Sequence, residues 1–201
     1  YATYSGTTPI RQDEDIYYYE FNGWSPSINN AVQANTKFVA QYIKRRYTII
    51  HWVNWDGTEI QRDLIKPNEV VSFRGVATKP DDEHYTDYML SGWVDNDGEF
   101  YDAGIALTST QDITLTAQFI GTPRPFTVNW YSSDGTVLLS TETYSYGSVA
   151  NYSGETPTGE GIFKGWSLTP NGALLEDLTV TGDMNFYAIL TRGTRVYLTN
   201  M

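Results

Sequence analysis

Two runs of three carboxylates, Asp13-Glu14-Asp15 and Asp81-Asp82-Glu83, are the residues best equipped for chemistry. Paired carboxylates act as general acid and base when one of them is desolvated, or as oxygen ligands for Ca²⁺ when several converge. Consecutive loop acids stay solvated, so a weak cation site is the most demanding role these runs suit. Asp95-Asn96-Asp97-Gly98-Glu99 spaces oxygen ligands two apart before a glycine, like the start of a Ca²⁺ loop. It lacks the downstream bidentate Glu, and Asp97-Gly98 reads as a hairpin turn. The imidazoles, His51 and His84, have no metal-ligand spacing, and the chain contains no Cys. No nucleophile elbow, phosphate-cradling loop or dinucleotide fingerprint is present. The sequence therefore assigns no catalytic residue, no metal ligand and no cofactor, and the expectation is a protein that is not an enzyme.

Aromatic side chains offer a different chemistry, stacking on sugars or anchoring a protein partner. Trp24, Trp93 and Trp166 recur behind a glycine, and Trp52 and Trp130 recur in a second context. A position repeated within one chain solves the same packing problem each time, so these five are expected in cores. Trp55 stands where the other copy has Ser133, which marks it as exposed. In Tyr17-Tyr18-Tyr19-Glu20-Phe21 a strand sends alternate side chains to opposite faces. Tyr19 and Phe21 align with Tyr88 and Leu90 and belong to a core, whereas Tyr18 aligns with the polar Asp87 and is expected at the surface. The candidate interaction surface is then Tyr18 and Trp55, with the acids Asp13, Glu14, Asp15, Asp81, Asp82 and Glu83.

The elements that position these residues are strands. Sixteen Tyr, six Trp and abundant Thr suit a pleated, half-buried surface. A hydrophobic fraction of 40% is enough to bury cores, and no apolar run reaches the ~18 residues of a membrane span. A formal charge of −11 disfavours nucleic acid and anionic membranes as partners.

The chain also repeats. Gly-Trp occurs at Gly23-Trp24, Gly92-Trp93 and Gly165-Trp166, preceded each time by an apolar residue: Phe21, Leu90 and Phe163. A strand ending in Ala-x-apolar follows: Phe38 to Tyr42, Leu115 to Phe119 and Phe186 to Leu190. Pro9, Pro80 and Pro157 form another anchor, and Asp-Gly-Thr appears at Asp56 and Asp134. One complete unit runs 47–120. It contains YTIIHWVNW with Ile50 and Trp52 inward, a turn at Asp56-Gly57, a strand from Thr58 to about Ile65, and YMLSGWV. In the last of these, Gly92 permits a close backbone approach or a bulge. ITLTAQF then closes the unit with Ile113, Leu115, Ala117 and Phe119 on one face. A second complete unit spans 126–190. The fold class is mainly β, about four strands per module, with room for a short helix near DLTVTGD.

Lys44-Arg45-Arg46, Thr122-Pro123-Arg124-Pro125 and Thr191-Arg192-Gly193-Thr194-Arg195 follow the three Ala-x-apolar strands. They read as exposed linkers, or else as basic joints that contact acidic faces of neighbouring modules. Residues 191–201 are a tail or the start of a further element. Residues 2–9 match 150–157 closely, ATYSGTTP against ANYSGETP. The first unit, 1–43, therefore begins past its aromatic strand and its Asp-Gly-Thr turn. A half-module exposes unpaired strand edges, so preceding strands or a partner chain are expected to complete it.

These words, FTVNW, DGT, YSYG, ETP, IFKGW and NFYAIL in the third unit, YTIIHW, DGT, TKP, YMLSGW and TLTAQF in the second, and TTP, YEFNGW and KFVAQY in the first, resemble the Listeria–Bacteroides repeat, also called the internalin B-repeat. The third unit departs by placing Gly161 where the others have Tyr19 and Tyr88. The resemblance implies tandem β-grasp-like modules on secreted or cell-wall-attached bacterial proteins, or in structural proteins of phages. It implies no catalytic residues, and a role in spacing, display and protein or glycan contact, with an adhesin or phage receptor-binding module as the alternative. The partners it implies are a protein or glycan at a cell surface, or other virion proteins.

Overall fold

The computed structural model describes residues 1–32 and 34–192, and among them there are thirteen strands and no helix. The DLTVTGD segment contributes only an isolated bridge, Val149 to Thr179, in place of a helix. In chain order the strands are β1 (Tyr17–Ser25), β2 (Val39–Arg46), β3 (Thr48–Val53), β4 (Glu59–Ile65), β5 (Val71–Ser72), β6 (Tyr85–Val94) and β7 (Phe100–Asp102). Next come β8 (Ala106–Leu107), β9 (Ile113–Pro123), β10 (Pro125–Tyr131), β11 (Leu138–Ser145), β12 (Ile162–Ser167) and β13 (Met184–Thr191). Contacts divide the chain into two compact units, one of Tyr1–Lys79 with Leu90–Phe119, the other of Pro80–Met89 with the chain from Ile120 on.

The third repeat shows the plan most simply. Its sheet runs β11-β10-β13-β12, with the central pair β10 and β13 parallel and both flanking pairs antiparallel. A tight turn suffices for the β10–β11 hairpin, and Asp134-Gly135 makes it, the glycine at φ +75°. The parallel pair needs a long crossover, and residues 146–183 provide it, passing through the Pro157 loop and β12. Val128, Trp130, Ala150, Trp166, Val180, Phe186 and Ala188 are buried together.

The second repeat repeats this arrangement as β4-β3-β9-β6, extended at one edge by β7. β3 and β9 are its parallel pair, with Ile50 opposite Ile113 and Trp52 opposite Leu115. Asp56-Gly57 turns the hairpin at φ +84°. The alternation read from the sequence holds: Ile50, Trp52, Leu115 and Ala117 are buried, and Ile113 and Phe119 pack against them. The small β5–β8 pair beside this sheet is an addition that its two-residue strands left without any periodic signal.

The joints differ from the linker reading. β2 ends at Arg46 and β3 starts at Thr48; β9 ends at Pro123 and β10 starts at Pro125. Tyr47 and Arg124 are the entire connections. The basic residues before Tyr47 are paired, Arg46 to both oxygens of Asp112 at 2.9 and 2.6 Å and Arg45 to Glu20 at 3.0 Å. Two acids, Glu20 and Asp112, therefore hold the first joint's arginines. Beyond Arg192, which pairs with Glu160, the expected tail lies outside the described residues.

The close backbone approach expected at Gly92 is present, and the other two Gly-Trp strands carry irregular ladders. The ladder slips between Phe21 and Trp24 and between Phe163 and Gly165. At Gly92 a Cβ would lie 2.3 Å from the Tyr101 carbonyl oxygen and 2.4 Å from the Phe100 ring. Backbone must then move, and such overpacking costs about 1–3 kcal/mol. Gly92→Ala is expected to lower stability by that amount in chemical denaturation. Gly104→Ala, where a Cβ meets nothing within 4 Å, should stay within about 0.5 kcal/mol of the parent.

Candidate functional site

Trp52 and Trp130 are fully buried, and each indole lies among other rings. Trp130 sits 4.5 Å from Trp166, 4.9 Å from Phe186 and 5.4 Å from Tyr152. Trp52 sits 4.9 Å from Trp93 and 5.7 Å from Phe73. A buried indole N–H needs an acceptor. On the adjoining strand of the hairpin a carboxylate supplies it: Trp52 Nε1 donates to Asp63 at 2.8 Å, and Trp130 Nε1 donates to Glu142 at 3.0 Å.

Both acids are saturated with donors. Asp63, 7% exposed, also accepts from Gln61 and from the Arg74 guanidinium. Burial is the largest influence on its pKa and acts upward. The bonds from Arg74, Gln61 and Trp52 together outweigh it and hold the carboxyl below its ordinary value. Glu142 is pushed up by burial and pulled down further by Tyr144, Ser153 and Trp130, with a net fall. Ser153 gives it both its backbone N–H and its hydroxyl, at 3.2 and 2.7 Å. In sequence Asp63 and Glu142 looked like ordinary strand acids. The available signal was that each follows the core Trp across the same hairpin, in both copies.

The predicted interaction residues are placed as follows. Trp55 is exposed, with Lys79 Nζ 5.9 Å from its ring centroid. Tyr18 is not at the surface: it is 3% exposed, its ring 4.9 Å from that of Tyr47, with Lys66 Nζ at 4.9 Å. The alignment with Asp87 misled because Asp87 sits at φ +51°, a local irregularity that Tyr18 does not share. The face opposite Tyr19 is covered by the joint residue Tyr47. Trp24, expected in a core, is only half-buried, since no counterpart of Trp52 or Trp130 lies against it among the described residues.

The acidic runs are tied into their own turns. Glu14 accepts from Tyr19 at 2.6 Å and from Arg11 at 2.7 Å, and these bonds lower its pKa. Asp13 accepts from the Tyr47 hydroxyl, which is raised to about 12 chiefly by that bond. Asp15 holds the turn at φ +50°. Asp81 accepts from Thr86 at 2.6 Å and from the backbone N–H of Asp87 at 3.0 Å, and Arg124 approaches at 3.3 Å. Asp82 caps the N–H groups of His84 and Tyr85 and accepts from Tyr88. Glu83 projects into solvent, 3.8 Å from His84. These carboxylates shape loops, and among the described residues no cluster of three or more His, Cys, Asp or Glu is arranged to hold a metal ion. Asp95 caps its turn too, accepting from the N–H groups of Asp97 and Glu99, while Gly98 takes φ +86°.

A family model for the Listeria-Bacteroides repeat domain matches residues 47–118 and again 126–189, the two sheets with a parallel central pair just described. The chain belongs to this repeat family. Listeria-Bacteroides repeats occur in surface or extracellular proteins and are structural domains without a known enzymatic role. Among curated proteins none matches the chain. The two family matches contain the two Trp–carboxylate pairs, so the geometry of these pairs belongs to the repeat and not to one specialised copy.

Arg74→Ala strips Asp63 of its charged donor and is expected to cost about 1–3 kcal/mol near neutral pH. A depressed carboxyl pKa contributes stability above the unfolded value and loses it as pH falls through the folded one. The deficit of the variant should therefore be constant above Asp63's ordinary 3.8 and shrink as pH falls through its depressed value. Urea denaturation at a series of pH values measures this.

Proposed function

We propose that this chain is a tandem-repeat segment of an elongated extracellular or cell-wall protein, acting as a non-enzymatic spacer that displays another domain and offers surfaces to protein or glycan partners. A virion-surface protein is the alternative setting. The observation that carries the reading is the joint. A spacer transmits position only if its repeats are not separated by slack, and here one residue connects each strand to the next repeat. Tyr47 is held through its N–H to Ile16 C=O at 2.9 Å and through its hydroxyl to Asp13. Arg124 is held in the same way: its N–H donates to His84 C=O at 2.8 Å, its own C=O accepts from Tyr146, and its guanidinium donates to Asp82 C=O at 2.7 Å. His84 and Tyr146 stack beside it at 4.1 Å. The second reading, an adhesin or receptor-binding module with a loop-borne site, is favoured by the exposed ring of Trp55.

Nitrogen-15 relaxation tests the joint. Amides of β1 and of β3 should report one rotational correlation time in the native chain. Separate values are expected after Gly-Gly-Ser is inserted at Tyr47, and separate values in the native chain would end the spacer reading.

A glycan array and a cell-binding panel test the adhesin reading. The spacer reading expects Trp55→Ala to change no signal. A specific signal lost in that variant would establish a binding site at this loop.

A further inference from the structure

The third repeat carries a pair of rings that the second repeat lacks. Trp130 and Phe186 point into the core, so their neighbours Tyr131 and Tyr187 take the opposite face of the sheet. There the two tyrosines face each other across the parallel ladder and stack, centroids 5.3 Å apart and planes 17° from parallel. Two positions back on the same face, Asn129 donates its amide N–H to the Asn185 amide oxygen at 3.0 Å and accepts from Thr141 at 2.8 Å. The second repeat has Val53 and Thr116 at the ring positions, and His51 and Thr114 at the amide positions. Positions that serve the shared core keep their residues from copy to copy. This face differs, and none of its side chains belongs to the buried cluster.

The rings border a groove of about 480 Å³, a size within the ~300–1,000 Å³ of small-ligand sites. Ser133, two residues beyond Tyr131, and Ile189, two beyond Tyr187, line it together with Asn171 and Gly172 from the loop after β12. That loop is drawn against the rings: a Cβ on Gly135 would lie 3.0 Å from Tyr187 and 3.1 Å from Pro170. Asn171 is held at φ +57°, and the Gly172 N–H closes the turn onto Thr169 C=O at 2.9 Å. The hydroxyls of Tyr131, Tyr187 and Ser133 and the side-chain amide of Asn171 have no hydrogen bond among the described residues. The charged residues of the groove, Glu160 and Arg192, pair with each other. The site therefore offers two part-exposed rings, several hydroxyls and amides, and no unpaired charge.

We propose that this face of the third repeat binds a neutral oligosaccharide of pyranose rings. A pyranose has apolar C–H faces rimmed by hydroxyls that both donate and accept, so it needs aromatic surface and uncharged polar groups side by side. Tyrosine supplies both at low conformational cost, because its ring is placed by only two torsions and ends in a hydroxyl. An acidic sugar is disfavoured by the formal charge of −11 and by the pairing of the groove's arginine. An apolar ligand is a poor match, since it would cover the unbonded hydroxyls and amides without giving them partners. The site lies in a different repeat from Trp55, and it rests on the reading of the chain as one that offers surfaces to glycan partners.

The test titrates the full chain, labelled with nitrogen-15, with chitohexaose, cellohexaose and maltohexaose, and separately with a heparin hexasaccharide. At least one neutral sugar should move the backbone amides of Tyr131, Ser133, Tyr187 and Ile189 and the side-chain amides of Asn171 and Asn185. Tyr131→Val and Tyr187→Thr install what the second repeat carries at those positions, so the sheet is kept, and each should weaken binding about tenfold or more. Asn185→Thr, a change at an exposed position, should weaken it as well. An unmoved Trp130 indole signal certifies the fold of each variant. The proposal is overturned if no neutral sugar moves these signals, if heparin binds more tightly, if the folded variants bind equally well, or if the shifts fall on Val53 and Thr116 instead. Shifts of the same amides on raising protein concentration alone would make a second copy the occupant and would overturn it equally. Glycan binding lost in Trp55→Ala, with Tyr131 and Tyr187 unmoved, would leave the glycan reading standing and remove this site alone.

Discussion

An indole is too large to leave outside a core this small, and its N–H is too polar to bury alone. The two complete repeats meet both demands by placing a carboxylate across the hairpin from the central Trp. That choice propagates outward. A buried carboxylate requires donors of its own, so Gln61 and Arg74 are drawn in on one sheet, and Tyr144 and Ser153 on the other. Arg74 and Ser153 come from the segments that lead away from the hairpin, which are thereby folded back over the rings. Phe73 and Tyr152 then roof the Trp pair. The long crossover to the parallel strand is thus anchored near its start without a helix.

This dependence explains why the repeats can diverge so far in their loops while sharing an architecture. The second uses Asp63 with an arginine, the third Glu142 with hydroxyls and a backbone N–H. The longer Glu side chain and the shorter Asp end at equivalent indole nitrogens. What is shared is an acceptor at the end of the Trp ring, and several chemistries satisfy it. The acidic runs at 13–15 and 81–83 fit the same pattern at the surface, since most of their oxygens are bound to turn N–H groups, tyrosine hydroxyls or arginines.

Much of the fold was legible in the sequence. The alternation in YTIIHW and ITLTAQF placed Ile50, Trp52, Leu115 and Ala117 correctly, because a sheet with one buried face imposes a period of two. The Asp-Gly turns were equally legible, since only glycine takes positive φ without cost. Three features were not. Tyr18 is buried by a joint residue far along the chain, and no local period records a contact of that kind. Asp63 and Glu142 look like outward strand residues until the Trp acceptor is considered. Trp24 carries the core signature but is only half-buried among the described residues, so pattern alone overstates its burial there. The surface residue that reasoning did place, Trp55, was found by a difference between copies and not by a motif.

The single-residue joints carry a consequence for how such a protein changes length over evolutionary time. In extended backbone each added or deleted residue reverses which face a side chain points to. A one-residue change at Tyr47 would turn its hydroxyl away from Asp13 and shift the following strand out of step with its ladder. Gradual lengthening by loop growth is therefore closed at these points. Whole repeats remain the unit in which residues can be gained or lost there, so the lengths open to such a chain come in steps.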